Sequence, residues 1–205
     1  MMPNCTLTQE QIDQAVSFHG HECPGLWIGL RAAELCLRDL GHNDDTPIIA
    51  VVETDMCGVH GIQVLTGCTL GKGNLIHKDL GKIAFSFYRT RDNKALRAVF
   101  RREAMGAEGQ ELRDLMKKIF AGTATEQEQQ QAKALKRKAR QQVFEASLAD
   151  LFTVAQPTSP APRPAKILDS LTCTACGEST MESRTRRFAG QIYCIPCFAD
   201  VEQKV

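Results

Sequence analysis

The chain has 205 residues, with 25 basic and 24 acidic side chains, and 43% of its residues are hydrophobic. This length supports one substantial core and a small additional unit, and the net charge of +1 excludes a strongly basic nucleic-acid coat protein. No apolar run approaches the roughly 20 residues that span a bilayer. We therefore expect no membrane segment and, from the start Met1-Met2-Pro3-Asn4, no signal peptide.

The predicted elements of the first 100 residues alternate between helices and strands. Thr8, with Gln11 three residues later, forms a capping box, which predicts a helix that continues to about Phe18. The other predictions follow from apolar spacing and from stop signals such as Gly41 and Gly67. They are a helix at 26–40, a buried strand at 48–52, a helix at 56–66 and a hairpin at 82–88 and 96–100.

The segment from about 109 to 151 is polar and rich in Gln, Lys, Arg and Ala, which predicts two helices separated at residues 122–125. Together they form a helical arm that projects from the core or packs on a partner. We interpret the basic cluster of its second helix as a solvated surface and expect no nucleic-acid binding, because acidic side chains nearly balance the basic ones. This cluster comprises Lys133, Lys136, Arg137, Lys138 and Arg140.

A proline-rich stretch from Gln156 to Pro164 divides the chain. Four prolines among small and polar residues favour an extended spacer, because each proline restricts its own backbone and the residue before it. We predict an α+β fold, with a mixed core and its helical arm at 1–152, a linker at 153–170 and a small treble-clef or zinc-ribbon domain at 171–205.

The nine cysteines are an odd number, and four of them lie in the last 33 residues. Without a signal peptide this count predicts a cytoplasmic protein whose thiols bind metal or react instead of forming disulfides. The four are two Cys-x2-Cys pairs separated by 17 residues, which is the spacing of a closed structural zinc site. Two redox-active pairs are the alternative, but no βαβ pattern surrounds them. The predicted zinc ligands are Cys173, Cys176, Cys194 and Cys197.

Histidines and cysteines also gather in three turn-rich segments, at 18–25, 53–60 and 66–74. This density of nitrogen and sulfur donors predicts a core site for zinc or another transition metal. Gly20 lets the chain leave the helix so that neighbouring histidines can face one ion, and Cys57 and His60 share one helix face. The candidate ligands are His19, His21, Cys57 and Cys68, with Cys23 as a weaker candidate.

The third segment, Gly67-Cys68-Thr69-Leu70-Gly71-Lys72-Gly73, differs in spacing from a Walker phosphate loop and lacks its Ser or Thr. Its glycines supply turns, and Lys72 is available to an anionic ligand. We predict Cys57, His60 and Lys72 as catalytic candidates. Cys36 is predicted to fill the core, and Cys5 is assigned no role.

Three motifs belong together: Phe18-His19-Gly20-His21-x-Cys23-Pro24-Gly25-Leu26, Glu53-Thr54-x-x-Cys57 and the segment from Thr66 to Leu75. Together they resemble the FmdE family. That family takes its name from the formylmethanofuran dehydrogenase operon of methanogens. The resemblance covers about residues 10–150, and the four-cysteine tail resembles the treble-clef finger appended to some members. It implies an α+β core, a homodimer and a metal near the histidines and cysteines.

The chain departs from the family pattern at one place. His60-Gly61 stands before Ile62-Gln63 where the family has Asp-Ala, so His60 is a candidate for an extra ligand or base.

Three functions remain open at this point. The first is a metal-binding protein associated with formylmethanofuran dehydrogenase or a related molybdenum or tungsten one-carbon enzyme. The second is a free-standing zinc-dependent enzyme with Asp55 or Glu53 as base. The third is a regulatory protein that binds protein or nucleic acid through its finger.

Overall fold

A computed structural model describes residues 4–202, which belong to two compact units, Met1–Pro164 and Ala165–Val205. Both units combine helices with strands, so the predicted α+β class is confirmed. Among the described residues no helix combines the length and the apolar character needed to cross a bilayer. Met1, Met2 and Pro3, on which the expectation about a signal peptide partly rests, lie outside the described residues.

The first unit contains six α-helices and five strands within its described part. The helices are α1 (Gln9–His19), α2 (Pro24–Asp39), α3 (Gly58–Thr66), α4 (Gly106–Phe120), α5 (Glu126–Glu145) and α6 (Leu148–Leu151). The strands are β1 (Ile48–Val52), β2 (Leu75–His77), β3 (Ala84–Arg89), β4 (Lys94–Phe100) and β5 (Phe152–Ala155). A short 3₁₀ turn, Arg102–Met105, precedes α4.

The five strands form one sheet in the order β2-β1-β3-β4-β5. Only the β1–β2 pair is parallel, and the other neighbours are antiparallel. Because side chains alternate along a strand, Ala50, Val52, Phe85 and Phe87 face the helices and join the main core. The opposite face carries a small apolar group around Tyr88. The helices therefore cover one face of the sheet, and we call the other the outer face.

The capping box of Thr8 and Gln11 is present at the start of α1, and β1 has the predicted bounds. The predicted hairpin is confirmed as β3 and β4, and Asn93 in its turn has a positive φ of 56°. β2 and β5 were not predicted. β5 corrects the start of the proposed linker, because Phe152 to Ala155 pair with β4 as an edge strand of the sheet.

The predicted helical arm consists of α4 and α5, separated at Gly122 and capped again at Thr125. The arm packs on α2 along one face, where Ala132, Leu135 and Val143 are buried in the main core.

A buried arginine joins α2 to the end of α5. The guanidinium of Arg31 donates hydrogen bonds to the backbone carbonyls of Phe144 and Ala146, and its Nε lies 3.2 Å from a carboxylate oxygen of Glu34. This ion pair is almost fully shielded from solvent.

Within its described part, the second unit contains two hairpins followed by a helix. The strands are β6 (Ser170–Thr172), β7 (Ser179–Met181), β8 (Thr185–Phe188) and β9 (Gln191–Cys194), and the helix is α7 (Ile195–Glu202). A 3₁₀ turn, Glu182–Arg184, lies between β7 and β8. The first cysteine pair follows β6, and the second pair lies where β9 ends and α7 begins.

Candidate metal centre

Two helices start beside one another because glycines remove the side chains between them. A Cβ atom built on Gly29 of α2 would lie 2.0 Å from the carbonyl oxygen of Gly58 in α3. A Cβ on Gly61 would lie 2.8 Å from the backbone nitrogen of Leu30. Separations this short exclude any larger residue without movement of the backbone. The contact holds the N-terminal ends of α2 and α3 together.

Cys23 and Cys57 occupy the positions directly before these two helices, so the same contact brings their thiols together. His19 joins them from the end of α1, where Gly20 adopts a left-handed φ of 88° and reverses the chain. One donor atom from each of the three residues lies within 4.8 Å of the other two.

The separations within this group match those of a shared metal ion. The Nε2 atom of His19 lies 3.6 Å from the Sγ atom of Cys23. Tetrahedral zinc, with a nitrogen bond of about 2.0–2.1 Å and a sulfur bond of about 2.3 Å, places the two donors about 3.6 Å apart. His19, Cys23 and Cys57 are thus a donor set that fits zinc or a chemically similar ion.

His60 fixes the orientation of His19. The two Nδ1 atoms lie 2.9 Å apart, so one of them carries the proton and donates it to the other. When Nε2 of His19 binds a metal, its Nδ1 is the protonated donor and His60 is the acceptor, which is the usual arrangement around metal-bound histidine. His60 therefore acts on the site through His19.

The surroundings of His19 favour its neutral, unprotonated ring. Partial burial lowers the pKa of His19, and His21 and His60 lower it further because a second positive charge nearby is unfavourable. The neutral imidazole is the form that coordinates a metal.

The surroundings of Cys23, by contrast, favour the protonated thiol, which is not the form that binds a metal. Burial raises the pKa of its thiol, and the nearby Cys57 adds to this effect, although the backbone N–H of Leu26 donates to its sulfur at 3.4 Å. Metal binding must therefore displace a proton from Cys23, which makes the affinity for metal depend on pH.

A cavity of about 350 Å³ opens beside the three donors. His19 and Cys57 line it, together with apolar side chains from α3 and the neighbouring strands. Its polar lining also includes Asp55, His60, Gln63 and His77.

Several predicted site residues lie outside this group. The ring of His21 lies beside that of His19, with centroids 4.4 Å apart and a tilt of 37° between the rings, and His21 is exposed. Cys68 is fully buried and donates its S–H to the carbonyl of Ile48. Lys72 is exposed and donates to the carbonyl of Gly67. The group of donors within 4.8 Å of one another thus does not include His21 or Cys68, and Lys72 does not line the cavity.

The structure also separates the two proposed bases. Asp55 lines the cavity, whereas Glu53 binds Arg97 through both carboxylate oxygens at 2.7 Å. Glu53 is therefore committed to an ion pair and is not the base of this site.

Two residues of the site received too little weight from sequence patterns alone. The sequence makes Cys23 the weaker candidate and does not single out His77. Pro24 directly after Cys23 is a signal that could have raised the weight of Cys23, because proline is favoured at the first position of a helix and so marks Cys23 as its N-cap. Nothing local distinguishes His77, which depends on the pairing of β2 with β1.

The second unit holds the four-cysteine centre. All four donor sulfurs lie within 4.8 Å of one another, and those of Cys176 and Cys194 are 3.9 Å apart. Two sulfurs on tetrahedral zinc lie about 3.8 Å apart. Backbone N–H groups of Cys176 and Cys194 lower the pKa of Cys173 to about 6, and Gly177 makes the left-handed turn of the knuckle at a φ of 75°. The residues fit one structural zinc ion with no open position.

Comparison with known families assigns both units. The model of the family described as "FmdE, Molybdenum formylmethanofuran dehydrogenase operon" matches residues 18–153. A second model, the "Prokaryotic dksA/traR C4-type zinc finger", matches residues 166–203. The matched ranges contain the core metal group and the four-cysteine centre, respectively.

A curated relative and a solved crystal structure illustrate what this chain is similar to. A protein of Archaeoglobus fulgidus described as "Probable S-adenosyl-L-methionine-binding protein" is 31% identical over an alignment 200 positions long, which covers 89% of this chain and 53% of the relative. The chain thus spans about half the length of that relative. The crystal structure of a tungsten formylmethanofuran dehydrogenase FmdE-like protein from Syntrophus aciditrophicus has a TM-score of 0.63. It is 20% identical, with 99% of this chain and all of that chain covered, and it supports the fold alone.

Proposed function

This chain belongs to the FmdE family, and we propose that its core binds an exchangeable transition-metal ion, most simply zinc, through His19, Cys23 and Cys57. The observation that carries this proposal is the convergence of one nitrogen and two sulfur donors within 4.8 Å at the start of two helices. Three protein ligands leave a fourth position open, unlike the four sulfurs of the finger.

A metal ion held by His19, Cys23 and Cys57 would supply Lewis-acid chemistry. The residues of the chain prepare that position. His60 orients the imidazole of His19, and apolar side chains such as Val52 and Leu75 line the cavity beside it. Asp55 and His77 line the same cavity, where their side chains are placed to accept a proton from a ligand.

We further propose that the protein serves formylmethanofuran dehydrogenase or a related molybdenum or tungsten one-carbon enzyme, for example by supplying metal or supporting cofactor insertion. The family description supports this proposal, since it refers to the molybdenum formylmethanofuran dehydrogenase operon. An open, exchangeable site suits a protein that hands on a metal or ligand better than a closed site does.

Metal analysis of the full chain tests the core site. We expect two zinc equivalents in the wild-type protein, of which a chelator removes one readily. The combined variant C23S and C57S should lose the labile equivalent, and C176S with C197S should lose the tightly held one. Two equivalents retained by the C23S and C57S variant would contradict the core site.

The link to a partner enzyme needs a separate experiment. Deletion of the gene in its own organism should lower the molybdenum or tungsten content of the purified partner enzyme, and the wild-type gene should restore it while the C23S and C57S gene should not. Unchanged metal content after deletion argues against the accessory role and leaves the metal site itself in place.

A free-standing zinc-dependent enzyme is the second candidate, and the cavity beside the metal group favours it. S-adenosyl-L-methionine is the first ligand to test, because the description of the archaeal relative names it. Calorimetric titration of the metal-loaded protein should show binding that C57S weakens. No heat of binding in the wild-type protein removes this ligand.

The homodimer and the absence of nucleic-acid binding remain predictions. Sedimentation analysis tests the first, and retention on DNA or RNA at low salt tests the second.

A further inference from the structure

A second cavity lies on the outer face of the sheet, within the first unit. It has a volume of about 300 Å³ and is lined by Ser86, Tyr88 and Arg97 from β3 and β4. Residues 157–159 close one side of it, and the hydroxyl of Tyr88 donates to the carbonyl of Ser159 at 3.3 Å. The metal group lies at the ends of helices on the other face of the sheet. The sheet therefore separates the two cavities.

The charges around this outer cavity do not balance. Its one lining carboxylate, that of Glu53, is already bound by Nε and Nη2 of Arg97. Lys78 and Lys82 line the same cavity, and neither ammonium group lies within 4 Å of a carboxylate among residues 4–202. Three cations therefore surround one carboxylate.

The backbone anchors both lysines in place. The N–H of Lys78 donates to the carbonyl of Val52 at 2.9 Å, and the N–H of Lys82 donates to the carbonyl of Glu53 at 3.0 Å. The loop that carries them is thus held along the end of β1. Both side chains therefore start from fixed backbone positions on the cavity rim.

Further hydrogen-bond donors complete the lining. Nε and Nη2 of Arg97 donate to Glu53, whereas its Nη1 atom makes no hydrogen bond within the described part of the chain. The hydroxyls of Ser86 and Thr158 also lie at the cavity. Guanidinium, ammonium and hydroxyl donors together are suited to a doubly charged oxyanion.

We propose that the outer cavity is a binding site for a small dianion, either a phosphate group or a dicarboxylate, held by Lys78, Lys82 and Nη1 of Arg97. The Glu53–Arg97 pair positions the guanidinium, and the hydroxyls add hydrogen bonds. The site is independent of the proposed metal function, because it shares no lining residue with the metal group.

Titration of the metal-loaded full chain with inorganic phosphate and, separately, with succinate tests the site. At low ionic strength we expect saturable binding of at least one of them, with a Kd of about 1 mM or below. The single variants K78A and K82A should weaken it about three- to fivefold each, and the double variant at least about tenfold. Binding of phosphate alone assigns a phosphate site, and binding of succinate alone assigns a dicarboxylate site.

A matched control is the double variant K133A and R137A. It removes the same two charges from the exposed face of α5, where neither side chain has an ion-pair partner among the described residues. It should bind like the wild-type protein. Equal loss in this control and in K78A with K82A would show a general charge effect and overturn the site.

Amide chemical shifts of the wild-type protein provide a test that needs no variant. On titration the changes should concentrate at residues 51–53, 86–88 and 157–159. Absence of binding, or shifts spread over the surface, overturns the proposal. The metal content of the same samples is measured as well. A sample that retains its metal but does not bind the dianion contradicts this site and leaves the metal site in place.

Discussion

The Nδ1 atoms of His19 and His60 lie 2.9 Å apart, although the two residues are 41 positions apart in the chain. This contact determines which nitrogen of His19 is free to bind a metal. The sequence makes His60 a candidate ligand or base, whereas its contact with His19 suits it to orient that candidate ligand.

Replacement of His60 by alanine should therefore weaken the core metal site. Loss of a hydrogen-bond partner of a metal-bound histidine typically lowers affinity by about 10- to 100-fold, and competition with a chromophoric chelator measures it on the full chain. The control is H77A, since His77 lines the same cavity without a hydrogen bond to His19. Equal affinities of H60A and H77A would contradict the orienting role.

The glycine contact between α2 and α3 predicts a large effect of one methyl group. G29A forces a Cβ to within 2.0 Å of the Gly58 carbonyl, and overpacking of this kind costs about 1–3 kcal/mol. Urea unfolding followed by the fluorescence of Trp27 measures the loss, and the labile metal should be lost with it. G71A is the control, because a Cβ there meets no atom within 4 Å.

The buried arginine should be needed for stability of the core. R31M leaves Glu34 buried without its charge partner and leaves carbonyls of the α5 end without a donor, which together cost about 3–5 kcal/mol. The exposed R38M on the same helix should change the free energy of unfolding little. A double variant, R31M with E34M, should recover part of the loss.

The Glu53–Arg97 pair predicts a dependence of stability on pH. Arg97 holds the pKa of Glu53 below its ordinary value, so the folded state binds this proton less readily than the unfolded state does. The stabilisation is present above the ordinary pKa of glutamate, near 4.3, and is lost as pH falls through the lowered value.

E53Q should accordingly be less stable than wild type at pH 7, and the difference should shrink on acidification through this range. Urea midpoints at several pH values measure it. E103Q, which removes an exposed carboxylate, should show no such convergence.

Removal of zinc should unfold the second unit and spare the first. The finger buries few apolar side chains, and a unit of its size depends on metal for its folding. Hydrogen exchange after prolonged chelation should show lost protection in residues 170–202, with β1 and β3 still protected. Persistent protection of β8 and β9 without zinc would contradict this dependence.

Features determined by residues close in the chain were predictable from the sequence. The spacing of Cys173, Cys176, Cys194 and Cys197 is enough to bring four sulfurs to one ion, and the zinc-finger family agrees. The capping boxes and β1 likewise depend on local patterns, and the structure contains them.

The membership of the core metal group was decided by tertiary structure. Cys57 and Cys68 have similar glycine-rich surroundings in the sequence, but the path of the chain turns Cys68 into the core toward Ile48. Cys23 and Cys57 meet because Gly29 and Gly58 let two helices touch, and no local pattern encodes which helices will touch. Tertiary structure also decided the strands β2 and β5, because these short segments become strands only when β1 and β4 supply hydrogen-bond partners.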